Sequence, residues 1–96
     1  MSTELIHHYS TVGDVRLHYV TAGSGPALVL IHGWPQSWFM WRGIIPALAQ
    51  HYRVIAVDMR GLGDSSRPYS GYDTTTVSND IWRLMSEVLG EQRFLV

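Results

Sequence analysis

The 96-residue chain contains no cysteine, and its seven basic residues are all arginine, so lysine is absent too. Without cysteine, disulfides and thiolate metal sites are excluded, which fits a reducing compartment. The missing lysine carries no functional message. Charged residues are sparse at 16% and nearly balanced, with a net charge of −1. No broad attraction to nucleic acid or acidic membranes follows from such a balance. Long hydrophobic runs are missing as well. The longest, Ala27–Ile31, is far too short to span a bilayer. Met1–Tyr9 has neither a basic n-region nor an apolar h-region, so no secretory signal is expected and the expected location is the cytoplasm. Internal repeats and low-complexity tracts are absent.

What is present is a globular composition. Hydrophobic residues make up 46% of the chain, enough for the core of one small soluble domain. His7–Val12 and Val15–Thr21 are β-prone runs around Gly13-Asp14. The second alternates, with Val15, Leu17 and Tyr19 on one face and Arg16 and His18 on the other, which predicts an antiparallel hairpin. Ala22–Pro26 reads as a loop. Ala27–Ile31 is apolar on both faces, the pattern of a buried parallel strand. From Ser37 to Gln50, Trp38, Trp41, Ile45 and Leu48 recur at helical spacing. Pro46 should kink that helix or open a second segment. Tyr52–Asp58 is a further strand ending at a carboxylate, and Arg60–Gly71 is a glycine-punctuated loop. Thr74–Leu89 is an amphipathic helix with Val77, Ile81, Leu84, Met85 and Val88 inward and Gly90 as its cap. Phe94-Leu95-Val96 begins another buried strand. The order is a hairpin followed by parallel β-α-β-α-β, an α/β protein. Ile31 and Val57 should end neighbouring parallel strands.

Ligands bind such sheets outside the carboxyl ends of the strands. Two segments lie there: His32-Gly33-Trp34-Pro35 and Asp58–Ser65. Gly33 lets backbone approach a ligand closely, and Pro35 restricts Trp34. A backbone N–H held in one direction at Trp34 suits an oxyanion hole; an ordinary strand-to-helix turn is the equally open alternative. Ser37, Ser65 and Ser66 lie outside any Gly-X-Ser-X-Gly elbow, and Ser37 reads as a helix N-cap. Gly61-X-Gly63 lacks the remaining signature of a phosphate cradle. His7 and His8, adjacent in a strand, should point to opposite faces and hold no metal. Trp38, Trp41 and Trp82 are expected in the core, and Arg83 with Glu87 as an i,i+4 surface pair.

His32-Gly33-Trp34-Pro35-Gln36-Ser37-Trp38, followed by Trp41-Arg42 and Pro46-Ala47-Leu48-Ala49, resembles the epoxide hydrolases of the α/β-hydrolase fold, whose hallmark is His-Gly-X-Pro after the third strand. Asp58-Met59-Arg60-Gly61-Leu62-Gly63-Asp64-Ser65-Ser66 is similar to their Asp-X-Arg-Gly-X-Gly-X-Ser segment. The likeness runs from about Val15 to Val96. Haloacetate and haloalkane dehalogenases share the His-Gly-X-Pro form.

The resemblance implies that residues 1–96 are the N-terminal part of an α/β-hydrolase core domain that ends before the nucleophile elbow. It implies a Trp34 backbone N–H that donates half of the oxyanion hole, a Trp34-Pro35 peptide that is often cis, and a Trp34 side chain facing the cavity. Trp34 and Pro35 would meet substrate. His32, Gly33, Asp58 and Arg60 would support the site, with His32 tying loops together rather than acting as the base. The strand at Phe94 would continue into an elbow carrying an Asp nucleophile, followed by a cap with two tyrosines, a second carboxylate and the base His. No metal or cofactor is implied. The partners implied are a small epoxide or related electrophile and the C-terminal part of the hydrolase; a homo-oligomer remains open, and neither nucleic acid nor membrane is expected. Residues 1–96 alone are expected to be inactive and to need a covering partner. The alternatives are a haloacetate or haloalkane dehalogenase, a serine esterase-like relative, and a non-catalytic binding module.

Overall fold

The computed structural model describes residues 5–32, 37–68 and 70–90. The alternating hairpin forms as β1 (Ile6–Val12) and β2 (Val15–Ala22), antiparallel, with Val12 opposite Val15 and Ile6 opposite Thr21. The two apolar runs form β3 (Ala27–Ile31) and β4 (Arg53–Val57), parallel to each other, with Ala27 opposite Arg53 and Ile31 opposite Val57. β2 joins β4 antiparallel, with Tyr19 opposite Val57. The sheet order is therefore β1-β2-β4-β3, a mixed sheet in which the hairpin flanks the parallel pair. The carboxyl ends of β3 and β4 stand side by side.

Side chains alternate across a strand, so each central strand feeds two cores. On one face Val15, Leu17, Tyr19, Val29, Ile55 and Val57 pack with Ile81, Leu84 and Met85. On the other, Ala22, Leu30, Val54 and Ala56 pack with Ile45, and Trp38, Trp41 and Leu48 lie half-buried against them. Each fully buried aliphatic side chain contributes about 1.5–3 kcal/mol relative to exposure. The second face also explains His18. The alternation of β2 holds, but the face opposite Leu17 is covered too, so His18 and Val20 are as buried as the apolar set.

Three sequence expectations need correction. Of the two alternatives at Pro46, the second holds: it opens a separate segment, the single-turn α1, Ile45–Leu48, but the part before it is a 3₁₀ turn, Trp38–Trp41, and not the expected helix. Pro46 lies in the first turn of α1, where its missing N–H costs no hydrogen bond, and it could not have continued a helix from Trp41. Helix α2 spans Thr74–Arg83 and then widens into a π turn, Leu84–Val88, with Leu89 N–H bonded to the Leu84 carbonyl. The wider turn rotates the apolar stripe, so Ile81, Leu84 and Met85 are buried while Val88 is 42% exposed. Trp82, expected in the core, is 50% exposed. It neighbours Ile81 in sequence but lies beyond the stripe facing the sheet.

Ser37 caps the 3₁₀ turn, its hydroxyl accepting from Phe39 N–H, and Arg83 pairs with Glu87 at 3.3 Å. Among the described residues no helix is long and apolar enough to cross a membrane. The expected strand at Phe94-Leu95-Val96 lies outside the described residues.

Candidate functional site

Asp58 follows the last residue of β4 and is fully buried. A buried carboxylate needs donors, and among the described residues Asp58 has three. Its Oδ2 accepts from His18 Nδ1 at 2.7 Å and from Asp64 N–H at 3.0 Å, and its Oδ1 accepts from Trp38 N–H at 2.7 Å. The Asp58 carbonyl accepts from the Ser65 hydroxyl at 2.6 Å, and that hydroxyl accepts from His18 N–H at 2.9 Å. Ser66 continues the stitching: its N–H donates to the Arg16 carbonyl and its hydroxyl accepts from Arg16 N–H, both at 2.9 Å. The two serines thus clamp the glycine loop to β2.

The loop closes because Gly63 adopts φ +54°, and a Cβ there would collide with the Asp58 carboxylate. Only glycine offers both the left-handed angle and the space. Gly61, at φ +80°, lies against the Tyr72 ring in the same way.

His32, buried just after β3, accepts from Met59 N–H through Nε2 at 3.1 Å, so the two strand-end segments are bonded to each other. Gly33, Trp34 and Pro35 lie outside the described residues, and with them the expected N–H direction and peptide geometry at Trp34. Their flanks are tied down: His32 holds Met59, and Trp38 N–H holds Asp58.

Arg60 turns away from the carboxylate hub. Its Nε and Nη2 reach Asp80 at 2.6 and 2.7 Å, its Nη2 reaches Asp14 at 3.0 Å, and its Nη1 donates to the Ser70 carbonyl at 3.0 Å. The hydrogen bonds that it donates to Asp80 push the guanidinium pKa further up, against the lowering effect of burial, and Asp14 adds to the rise. Arg60 therefore ties the hairpin turn, the far end of the glycine loop and α2 together.

A concavity of about 600 Å³ opens at the same rim, on the α2 side, lined chiefly by Ile31, Met59, Tyr72, Val77, Ile81 and Trp82. It is apolar, which suits a hydrophobic ligand or further apolar chain. His18, Asp58 and Asp64 also bring ligand atoms within 4.8 Å of one another. His18 Nδ1 and Asp58 Oδ2 are bonded to each other, so this is a hydrogen-bonded cluster rather than a set of open metal ligands.

In the sequence, His32, Asp58 and Arg60 stand in recognisable motifs, whereas His18 and Asp80 stand in none. Asp80 had a signal. It falls on the stripe of Val77, Ile81 and Leu84, where a carboxylate must find a cation. His18 had none, because a histidine opposite Leu17 reads as surface until the second face is known to be covered.

Comparison with known proteins matches this architecture. The model of the α/β hydrolase fold family matches residues 26–96. A soluble epoxide hydrolase from Corynebacterium sp. (strain C12) is 56% identical over 88 residues, which cover 92% of this chain and 31% of that protein. A fluoroacetate dehalogenase from Burkholderia sp. is 43% identical over 88 residues, covering 86% of this chain and 29% of that protein. The solved structure of the epoxide hydrolase CorEH without ligand superposes with a TM-score of 0.86 at 54% identity, over 88% of this chain and 30% of that one. The chain thus spans about 30% of the length of the proteins it matches. A parallel pair carrying both loops at one rim, an antiparallel hairpin beside it and a family match over most of the length have one common explanation: this chain belongs to the α/β hydrolase fold family.

Proposed function

We propose that this chain is the N-terminal portion of a hydrolase that opens epoxides to diols through an enzyme ester, and that the backbone N–H of Trp34 donates half of its oxyanion hole. The observation that carries the site assignment is the bracing on both sides of residues 33–36, through His32 to Met59 and through Trp38 to Asp58. An oxyanion donor is useful only when it is held before charge develops. The substrate class rests on the 56% identity to a soluble epoxide hydrolase.

In this reading, a carboxylate outside these residues attacks an epoxide carbon. The carbon–oxygen bond breaks, and the ring oxygen leaves as an alkoxide that takes up a proton. Water deprotonated by a histidine, also outside these residues, then attacks the ester carbonyl. The tetrahedral oxyanion meets Trp34 N–H and collapses to diol and free carboxylate. Trp34 and Pro35 line the pocket, while His32, Gly33, Asp58 and Arg60 hold the rim. Residues 1–96 supply no nucleophile–base pair and alone would not turn over. The partners are a small electrophile and the rest of the hydrolase, in a cytoplasmic setting.

The experiment is a single turnover of the complete protein on a styrene-oxide-type substrate in oxygen-18 water. An ester mechanism delivers unlabelled oxygen to the first diol and label to the enzyme carboxylate. A labelled first diol would overturn it. The identity to a fluoroacetate dehalogenase supports a second reading, in which fluoride is released from fluoroacetate and no diol forms. Neither product would leave the binding-module reading.

A further inference from the structure

We infer that His18 is a positioning residue for the segment that enters the fold at Trp38, and that His7 on the edge strand is the outer member of the same relay. Its bearing on catalysis rests on the function proposed above, whereas the relay itself rests on geometry alone.

One carboxylate serves two loops. Asp58 Oδ1 holds Trp38 N–H at 2.7 Å, and Asp58 Oδ2 holds Asp64 N–H at 3.0 Å. Rotation of that carboxylate would release both loops together. Among the described residues, the side chain that donates to it is His18, through Nδ1 at 2.7 Å, in a pair that is fully buried. An ionised carboxylate only accepts, so His18 carries its proton on Nδ1. In the neutral ring, Nε2 is then an acceptor. It lies 2.9 Å from His7 Nδ1, which must donate. The tautomer of each ring is thus set from the buried end outward, by Asp58 for His18 and by His18 for His7.

The ring environment holds this arrangement in place. The His7 and His18 rings stack with centroids 5.1 Å apart, and the Trp38 ring meets both edge-on, at 5.4 and 6.4 Å. Tyr9 covers His18 at 5.0 Å, and Arg16 lies over Tyr9 at 4.6 Å. Trp38 is therefore tied twice to the relay, by its backbone to Asp58 and by its ring to the two histidines. β1 contributes through His7, a residue that no loop motif includes.

The test reads the relay without needing turnover. In the intact chain labelled with ¹⁵N-histidine, long-range proton–nitrogen correlation should find His18 protonated at Nδ1 and accepting at Nε2, with His7 protonated at Nδ1. His18→Phe should speed exchange of the Trp38 amide by about tenfold or more relative to β4 amides, through loss of a charge-assisted bond. His18→Asn, whose amide N–H reaches about as far as Nδ1, should restore protection to within about threefold. His7→Phe keeps a stacking ring and should move the His18 Nε2 signal while β4 stays protected. A His18 ring unprotonated at Nδ1, or a Trp38 amide equally protected in His18→Phe, overturns the inference. If His18→Phe does not fold, the wild-type tautomer and the His18→Asn rate decide. In the complete hydrolase, His18→Phe should lower kcat with KM little changed, and His18→Asn should recover it. Absence of diol formation in the wild type would overturn the proposed function and leave the relay standing.

Discussion

Arg60 and Asp80 form a two-pronged ion pair, Nε to Oδ2 at 2.6 Å and Nη2 to Oδ1 at 2.7 Å, with side chains 1% and 8% exposed. A planar guanidinium facing a carboxylate this way gains direction as well as attraction. Asp14, at 64% side-chain exposure, is the outer partner and contributes less.

Removing Arg60 leaves the Asp80 carboxylate buried without its cation, and removing Asp80 leaves the buried guanidinium to the exposed Asp14 and the Ser70 carbonyl. Asp80→Ala and Arg60→Ala should each destabilise the fold by about 3–5 kcal/mol, read as a lower urea midpoint. Asp14→Ala should fall within about 1 kcal/mol of wild type. Equal losses at Asp14 and Asp80 would contradict the assignment of the strong pair.

Gly63→Ala should destabilise by more than the conformational term of about 1 kcal/mol, because its Cβ meets the Asp58 carboxylate as well as a left-handed backbone. Gly43 has ordinary φ and open space around its Cβ position. Gly43→Ala should be neutral or stabilising by up to about 1 kcal/mol. Thermal melts of the two variants check the contrast.

Leu84 is fully buried on the inner face of the π turn, whereas Trp82 is half exposed on the concavity wall. Leu84→Ala should cost about 2–5 kcal/mol of stability, and Trp82→Ala should stay within about 1 kcal/mol of wild type. Trp82→Ala should instead reduce binding of an apolar dye to the concavity. Comparable stability losses would place Trp82 in the core after all.

Asp73 caps α2, accepting from Thr76 N–H at 3.0 Å, and the Thr76 backbone and hydroxyl bonds hold its carboxyl below the usual carboxylate range. A lowered folded pKa stabilises above the unfolded value and is lost as pH falls through the folded one. The stability difference between wild type and Asp73→Ala should therefore be constant from neutral pH down to the ordinary carboxylate range, then shrink on further acidification. Denaturant midpoints of both proteins across acidic pH check this, and a difference that grows in acid would reverse the sign. Salt should reduce the effect, since Asp73 is exposed.

Sheet and hairpin were legible because they rest on patterns of period two and on continuous apolar runs. The pairing of Ile31 with Val57 follows from β3 and β4 being apolar on both faces. The segment from Ser37 to Gln50 misled because tryptophans at helical spacing also fit a 3₁₀ turn that only leans on the core. The π turn at Leu84–Val88 has no compositional mark, so Val88 was misplaced by period alone. At the rim, Asp58, Arg60 and His32 stood in recognisable motifs. Their partners His18, Asp80 and Asp14 are scattered up to 46 positions away, and short-range patterning cannot pair residues at that distance.

The stitching of Ser65 and Ser66 onto β2 has a kinetic consequence. Those bonds join positions 47 and 50 residues apart, and the His18–Asp58 bond spans 40. A hairpin such as β1–β2 closes in about 1–10 μs from local contacts, whereas pairing across a long loop waits on the entropy of bringing its ends together. On a growing chain, β2 is therefore complete before its β4 neighbour has been synthesised, and the apolar side of Leu17 and Tyr19 stays uncovered meanwhile. The rim around Asp58 belongs to the late stage of folding, and a chaperone that shields the first two strands would act on its assembly without ever touching it.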